Sequence, residues 1–157
     1  MNILSSLEGS SFSMWLLGSN SIWAYPTVLT LHTFGMMVLV GAAAMLDLRL
    51  LGFGRGIPLG SMKTLFRVMW AAFWLNAVTG SMLFVADATK RGTSVIFLVK
   101  LLLVAAGVIT VVLIKRDVYD SNPDPVSVSS TAKRLAIASL LVWSAAITTG
   151  RLLAYVT

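Results

Sequence analysis

Apolar residues fall along this chain in four long blocks separated by short polar breaks. The first runs over 26–51, starting at Pro26 and closing in Asp47-Leu48-Arg49-Leu50-Leu51-Gly52. The second covers about 62–86, with Lys63 and Arg67 at its entry and Asp87, Lys90 and Arg91 beyond its exit. The third covers about 93–114 and ends on Lys115-Arg116, and the fourth covers about 131–155. Each block meets the length of ~20 apolar residues that a helix needs to cross hydrocarbon, so each is predicted to span a membrane. Ahead of them, residues 3–19 mix Leu, Phe, Met and Trp with serines and Glu8, the pattern of short amphipathic turns lying in an interface. Trp15, Trp23 and Tyr25 mark a headgroup boundary.

The breaks are turn-like. Gly52, Gly54, Gly56, Pro58 and Gly60 form one tight connection, and Asn122-Pro123-Asp124-Pro125 with its flanking serines forms a solvated loop over 117–130. Short connections make sequential helices antiparallel neighbours. The expected fold is all-α: one domain over 1–157, built as an up-and-down bundle of four transmembrane helices with a short N-terminal interfacial helix. Small residues offer close helix contacts at Gly35, Gly41, Gly80, Gly107, Ala145, Ala146 and Gly150.

Composition strengthens the membrane reading. Of 157 residues, 57% are hydrophobic and 11% charged, more apolar than soluble domains manage. The absence of cysteine excludes disulfides, thiolate metal sites and iron–sulfur clusters. The formal charge of +6 does not point to nucleic acid, because the basic residues sit beside the apolar blocks rather than in one stripe. Arg49, Arg55, Lys63, Arg67, Lys115, Arg116, Lys133 and Arg134 fall at one end of the expected bundle, and only Lys90 and Arg91 lie in the loop at the other. Basic residues resist translocation, so the first end is expected in the cytoplasm and both termini in the periplasm of a bacterial inner membrane. No cleavable leader pattern precedes the first span, which is expected to act as its own insertion signal.

Ionisable groups inside a span cost at least ~2.5 to 3.5 kcal/mol each and call for a reason. His32, Lys100 and Arg151 are such groups on the first, third and fourth spans, with Asp87 at the edge of the second. The helical rise puts the first three roughly 6 to 11 Å inside the outer boundary, with Asn76 and Thr79 nearby. Taken singly, each has a plain structural role: Lys100 and Arg151 snorkel outward, Asp87 pairs with one of them, and His32 bonds a neighbouring hydroxyl. Taken together, His32, Lys100, Arg151, Asn76 and Asp87 form a candidate outward-facing pocket for a cofactor. His32 is a natural axial ligand for the iron of a b-type haem, with Lys100 and Arg151 at the propionates. A second axial ligand would have to come from Met69, Met82 or a second copy of the chain. A quinone suits the same residues, with His32 as hydrogen-bonding partner or proton carrier. Copper held by His32, Met36, Met37 and Met45 is a third option. At the cytoplasmic end, Asp47 is expected to neutralise one of the rim cations while the others meet anionic lipid.

The residues supply no phosphate loop, nucleophile elbow or paired carboxylates, so an independent enzyme is not expected. The favoured function is an integral inner-membrane subunit that holds a ligand or cofactor, associated with lipids and with other membrane subunits or with itself. The alternative is a scaffold or anchor subunit without ligand. A small-solute transporter is least favoured, because the inner halves of the spans lack a polar path.

The pieces Trp23-Ala-Tyr-Pro26, Leu31-His32 with Gly35, Asp47-Leu-Arg-Leu-Leu-Gly52, Phe97-Leu-Val-Lys100 and Gly150-Arg-Leu-Leu-Ala-Tyr155 together resemble a family of small bacterial four-helix membrane proteins without an assigned activity. The resemblance covers nearly the whole chain and implies the fold and the bacterial inner membrane. Thr30 stands where that family's pattern often has an acidic residue. A fainter likeness, through Leu31-His32 and the glycines that follow, is to copper-resistance D and cytochrome b561-like membrane proteins, which implies haem.

Overall fold

A computed structural model describes residues 3–18, 23–120 and 127–156. Seven α-helices follow in order: α1 Ile3–Glu8, α2 Ser11–Gly18, α3 Ala24–Leu50, α4 Lys63–Ala86, α5 Ala88–Gly92, α6 Val95–Lys115 and α7 Ser130–Val156. A 3-10 turn, Leu59–Met62, leads into α4, and α6 runs on into a π-helical turn, Arg116–Asp120. With these turns counted, four helices are long and apolar enough to cross a membrane, with mean hydropathies of 1.8, 1.5, 2.8 and 1.5 in chain order. They make an all-α four-helix bundle that fits an integral membrane protein.

Local chemistry sets the helix ends. Helix α3 starts two residues before Pro26, which leaves the proline in the first turn, where its missing N–H removes no intrahelical bond. The same helix stops in a Schellman motif: Gly52 takes φ +105°, its N–H donates to the Arg49 carbonyl, and the Phe53 N–H donates to the Leu48 carbonyl. Ser94 caps α6 by accepting from the Phe97 N–H at 3.4 Å. Ser129 caps α7 through the Ala132 N–H at 2.9 Å while donating its own proton to Asp117, which ties the π-helical turn to the start of the last span.

Helix α3 lies at the centre of the packing, against α4 on one side and α7 on the other, and α6 packs on α7. Small buried residues accompany this packing: Ala42 and Ala43 on α3, and Ala132, Ala136, Ser139 and Ala146 on α7. Small side chains let backbones come close, which is how helices gain packing where lipid is as apolar as the core. Aromatic pairs bridge α4 to α6 and to the π-helical turn that follows it. Phe84 stacks on Phe97 at 5.4 Å, and Phe66 meets Tyr119 edge-on at 5.3 Å with the Tyr119 hydroxyl donating to the Leu59 carbonyl. Large apolar side chains such as Phe34, Trp74, Leu98, Leu102, Ile109 and Leu141 point outward along the spans.

Each hairpin interlocks through reciprocal notches. Between α3 and α4, His32 lies over Gly80 and Asn76 over Gly35. Between α6 and α7, Lys100 lies over Gly150 and Trp143 over Gly107. A methyl group on Gly35 would come within 2.9 Å of the Asn76 amide, and one on Gly80 within 3.1 Å of the His32 ring. Gly41 meets nothing within 4 Å and takes no part in a seam.

Helices α1 and α2 fold over one end of the bundle, called here the capped end. Leu16 is buried with Val28, Leu83 and Ala86, and Leu4 rests on Gly92. The segment read as interfacial is thereby fastened to α4 and α5. The Glu8 carboxylate accepts from the Thr89 N–H at 3.0 Å, at the start of α5. Hydrogen bonding from Thr89, through its side chain first and its N–H second, holds the Glu8 carboxyl below its ordinary range. A carboxylate with a depressed folded pKa stabilises the contact above its unfolded pKa, and the effect is lost as pH falls through the folded value. The Thr89 amide signal should therefore titrate with an apparent pKa below the usual ~4.3 of a glutamate. In Glu8→Gln that titration should vanish; an unchanged titration would assign it to another group.

Candidate functional site

The capped half of the bundle carries the polar groups. Helix α3 sets His32 against α4, where its Nδ1 lies 3.0 Å from the Thr79 hydroxyl oxygen. Thr79 has one proton, and it donates that proton to the Leu75 carbonyl at 2.7 Å, as a helical threonine with a carbonyl one turn back does. With its proton on the Leu75 carbonyl, the Thr79 oxygen accepts from the imidazole, the pairing in which His32 carries its proton on Nδ1 and leaves a lone pair on Nε2.

Lys100 approaches from the other hairpin. Its stem crosses Gly150, with Cε 3.4 Å and Nζ 3.6 Å from where a Cβ of that residue would stand. Arg91 stands on α5, beyond the end of the second span. Lys100 and Arg91 are near enough to the imidazole for their charges to act on it, and near enough to act on each other. Asp87, at the junction of α4 and α5, is the carboxylate at this end of the bundle that binds a cation: it sits 3.5 Å from Arg91 Nε, one helical turn away. The pair is an ion contact rather than a well-formed hydrogen bond, because Arg91 Nε is buried and has no hydrogen-bonding partner.

Asn76 belongs to the same layer. Its amide nitrogen donates to the Ala72 carbonyl at 3.3 Å, while its Oδ1 is buried without a partner. The layer thus contains an imidazole with a free acceptor nitrogen, an ammonium, a guanidinium and an unused amide oxygen. Lys100 places a cation inside a span, and Arg91, paired with Asp87, adds its charge from the turn beyond the span's end. Such a group can hold an electron-rich oxygen or an anion through Lys100, and can accept a hydroxyl proton at His32 Nε2 or Asn76 Oδ1.

Of the residues singled out in the sequence, His32, Lys100 and Asn76 share this layer. Asp87 binds Arg91 instead of Lys100 or Arg151. Arg151 is turned outward, its guanidinium 5.5 Å over the Tyr155 ring, away from the group. In the sequence Arg91 is a loop cation that no periodic signal marks, because α5 is a five-residue helix that forms where the chain folds back. Of the methionines considered with His32, Met37 and Met45 point outward. Met69 is in the core about ten residues along α4 from Thr79, roughly 15 Å down the helix axis. Met82 packs with Leu16 and Val28 at the cap. Among the described residues, no three His, Cys, Asp or Glu side chains gather as metal ligands.

The basic end holds one ionisable group that departs from its expected role. Asp47 is 1% exposed and faces the α3–α7 core beside Ser139, which is fully buried. Asp47 Oδ2 and Ser139 Oγ each lack a hydrogen-bonding partner. The expectation that Asp47 neutralises a rim cation is corrected: position 47 falls on the inner face of α3, two residues before Arg49 of the basic rim, so its side chain enters the core. Arg49 bonds the connection instead, donating from Nε to the Ile57 carbonyl at 2.7 Å.

Comparison of the chain with protein-family models, with curated proteins and with solved structures finds no match in any of the three.

Proposed function

We propose that this protein is a membrane subunit that holds the polar headgroup of a small ligand in the layer formed by His32, Lys100, Arg91 and Asn76, and that a quinone is the ligand class the layer fits best. The observation that carries this reading is an imidazole held on Thr79 inside one span, within reach of the charge of Lys100 on another span and of Arg91 on the α5 turn just beyond. A quinone carbonyl accepts from Lys100, and the reduced form donates to His32 Nε2 or Asn76 Oδ1. The aliphatic tail of such a ligand lies in hydrocarbon with no further provision from the protein.

A b-type haem fits these residues less well. His32 supplies one axial nitrogen, its ring is wedged against Gly80, and Met69 lies at another level of the bundle. The excess of basic residues at the end opposite the cap supports a cytoplasmic location for that end, with both termini in the periplasm of a bacterial inner membrane. Partners in this reading are lipids and either further membrane subunits or a second copy of the chain.

The test is extraction into native lipid discs followed by mass analysis of co-purifying small molecules. The parent should retain quinone in stoichiometric amounts, while Lys100→Gln and His32→Ala should each lose most of it. Equal small-molecule content in all three would refute the reading. A second reading, a ligand-free scaffold, draws on one specific observation: His32, Asn76 and Lys100 all fill glycine notches and so also serve packing. It expects His32→Ala to lower stability and leave small-molecule content unchanged.

A further inference from the structure

At the basic end, a cavity of about 360 Å³ opens between the end of α3, the α3–α4 connection and the start of α7. Arg49, Arg55 and Lys133 line it, with Leu50, Leu51, Gly52 and Val128. Among the described residues no carboxylate lines it, so three cations face one concave space. The two guanidiniums are held in place by backbone oxygens. Arg49 donates from Nε to the Ile57 carbonyl at 2.7 Å and from Nη2 to the Arg55 carbonyl at 3.4 Å. Arg55 donates from Nε to the Gly52 carbonyl at 3.3 Å. The turn that makes this possible depends on Gly52 and Gly54, both at positive φ. Each guanidinium has five N–H donors, and these bonds use two on Arg49 and one on Arg55, which leaves several donors in fixed orientation.

We propose that this cavity is a binding site for a phosphate-type anion, either the phosphodiester of a membrane lipid or free inorganic phosphate. Planar guanidiniums bind tetrahedral oxyanions through paired N–H donors, and the Lys133 ammonium adds a third point of charge. The position suits a lipid headgroup. Arg49 ends the first span and Lys133 begins the last, so the cavity lies where a helix leaves hydrocarbon, and basic pockets between transmembrane helices at that level take anionic headgroups. The site lies at the opposite end of the bundle from the His32 layer and is independent of it.

The test uses the full chain in nanodiscs made of equal parts phosphatidylcholine and phosphatidylglycerol. Lipid retained after mild detergent exchange is measured by mass spectrometry, and a parallel arm follows inorganic phosphate by 31P line broadening in phosphatidylcholine-only discs. The parent should enrich phosphatidylglycerol, and Arg55→Gln with Lys133→Gln should reduce that enrichment roughly tenfold or more, at about one kcal/mol per cation removed. The charge-keeping pair Arg55→Lys with Lys133→Arg should retain most of it, which separates loss of the site from loss of the fold. Phosphate broadening without lipid enrichment, abolished by the same Gln pair, supports the site with free phosphate as its ligand. Absence of both effects in the parent, or enrichment that survives the Gln pair, overturns the proposal.

Discussion

Gly107→Ala is expected to destabilise the bundle more than a methyl group added to either edge of the helix would. The new Cβ would stand 2.7 Å from Cε2 and 2.8 Å from Cζ2 of Trp143, against the ring fusion and the benzo edge of an indole that is itself buried. A rigid ring with no room to swing must push α6 and α7 apart, and overpacking of this kind typically costs about 1–3 kcal/mol. Trp143→Phe shortens the ring system, taking away its Cζ2 edge, and also removes an indole N–H that is buried without a partner. Gly107→Ala should therefore be partly rescued by Trp143→Phe. Unfolding of the two single variants and the double variant, measured in one detergent, checks this as a double-mutant cycle. Strict additivity would mean that the two residues are not opposed across the α6–α7 seam.

The second large effect concerns Asp47. A carboxylate buried among Leu46, Leu50, Ala43 and Ala136 with no cation beside it contributes shape and hydrogen-bonding capacity to the α3–α7 seam, not an ion pair. Asp47→Asn keeps the shape and adds a donor for the Ser139 hydroxyl, so stability should be unchanged or higher. Asp47→Ala should cost about 1–3 kcal/mol, since it opens a void and leaves Ser139 without its polar neighbour. Ser139→Ala in the Asp47→Asn background should then be the more damaging serine substitution. If Asp47→Asn unfolded as readily as Asp47→Ala, the charge itself would be holding the structure, and the description of an unpaired core carboxylate would be wrong.

Much of the bundle is readable from the order of residues, because span length and apolar composition are local properties. Pro26, Gly52 and Ser94 mark helix ends by backbone chemistry that needs no tertiary context. Lateral arrangement is another matter. Gly35, Gly41 and Gly80 look alike in sequence, yet two receive a partner side chain and Gly41 receives none, a difference set by the rotation of α3 about its axis. The same rotation turns Asp47 into the core while Arg49, two positions later, reaches the Ile57 carbonyl in the loop.

The candidate site was legible by depth and not by direction. Helical rise alone brings His32 and Lys100 to one level, but it gives Arg151 the same level, and only the packing of Gly150 against Lys100 shows that position 151 must point outward. Arg91 lacks any such signal. Its approach to His32 depends on α5 folding back over the end of α4, under the Leu4 and Glu8 contacts of α1.

The chain contains one histidine, so protein labelled with 15N at histidine gives a single imidazole to observe. In detergent or lipid discs freed of small molecules, His32 should show a protonated Nδ1 bonded to Thr79 and a bare Nε2. Adding a short-chain quinol should move the Nε2 resonance as it accepts a hydrogen bond, and Lys100→Gln should weaken that response. An Nε2-protonated ring, or a bare Nε2 whose resonance ignores quinol at saturating concentration, would contradict the account.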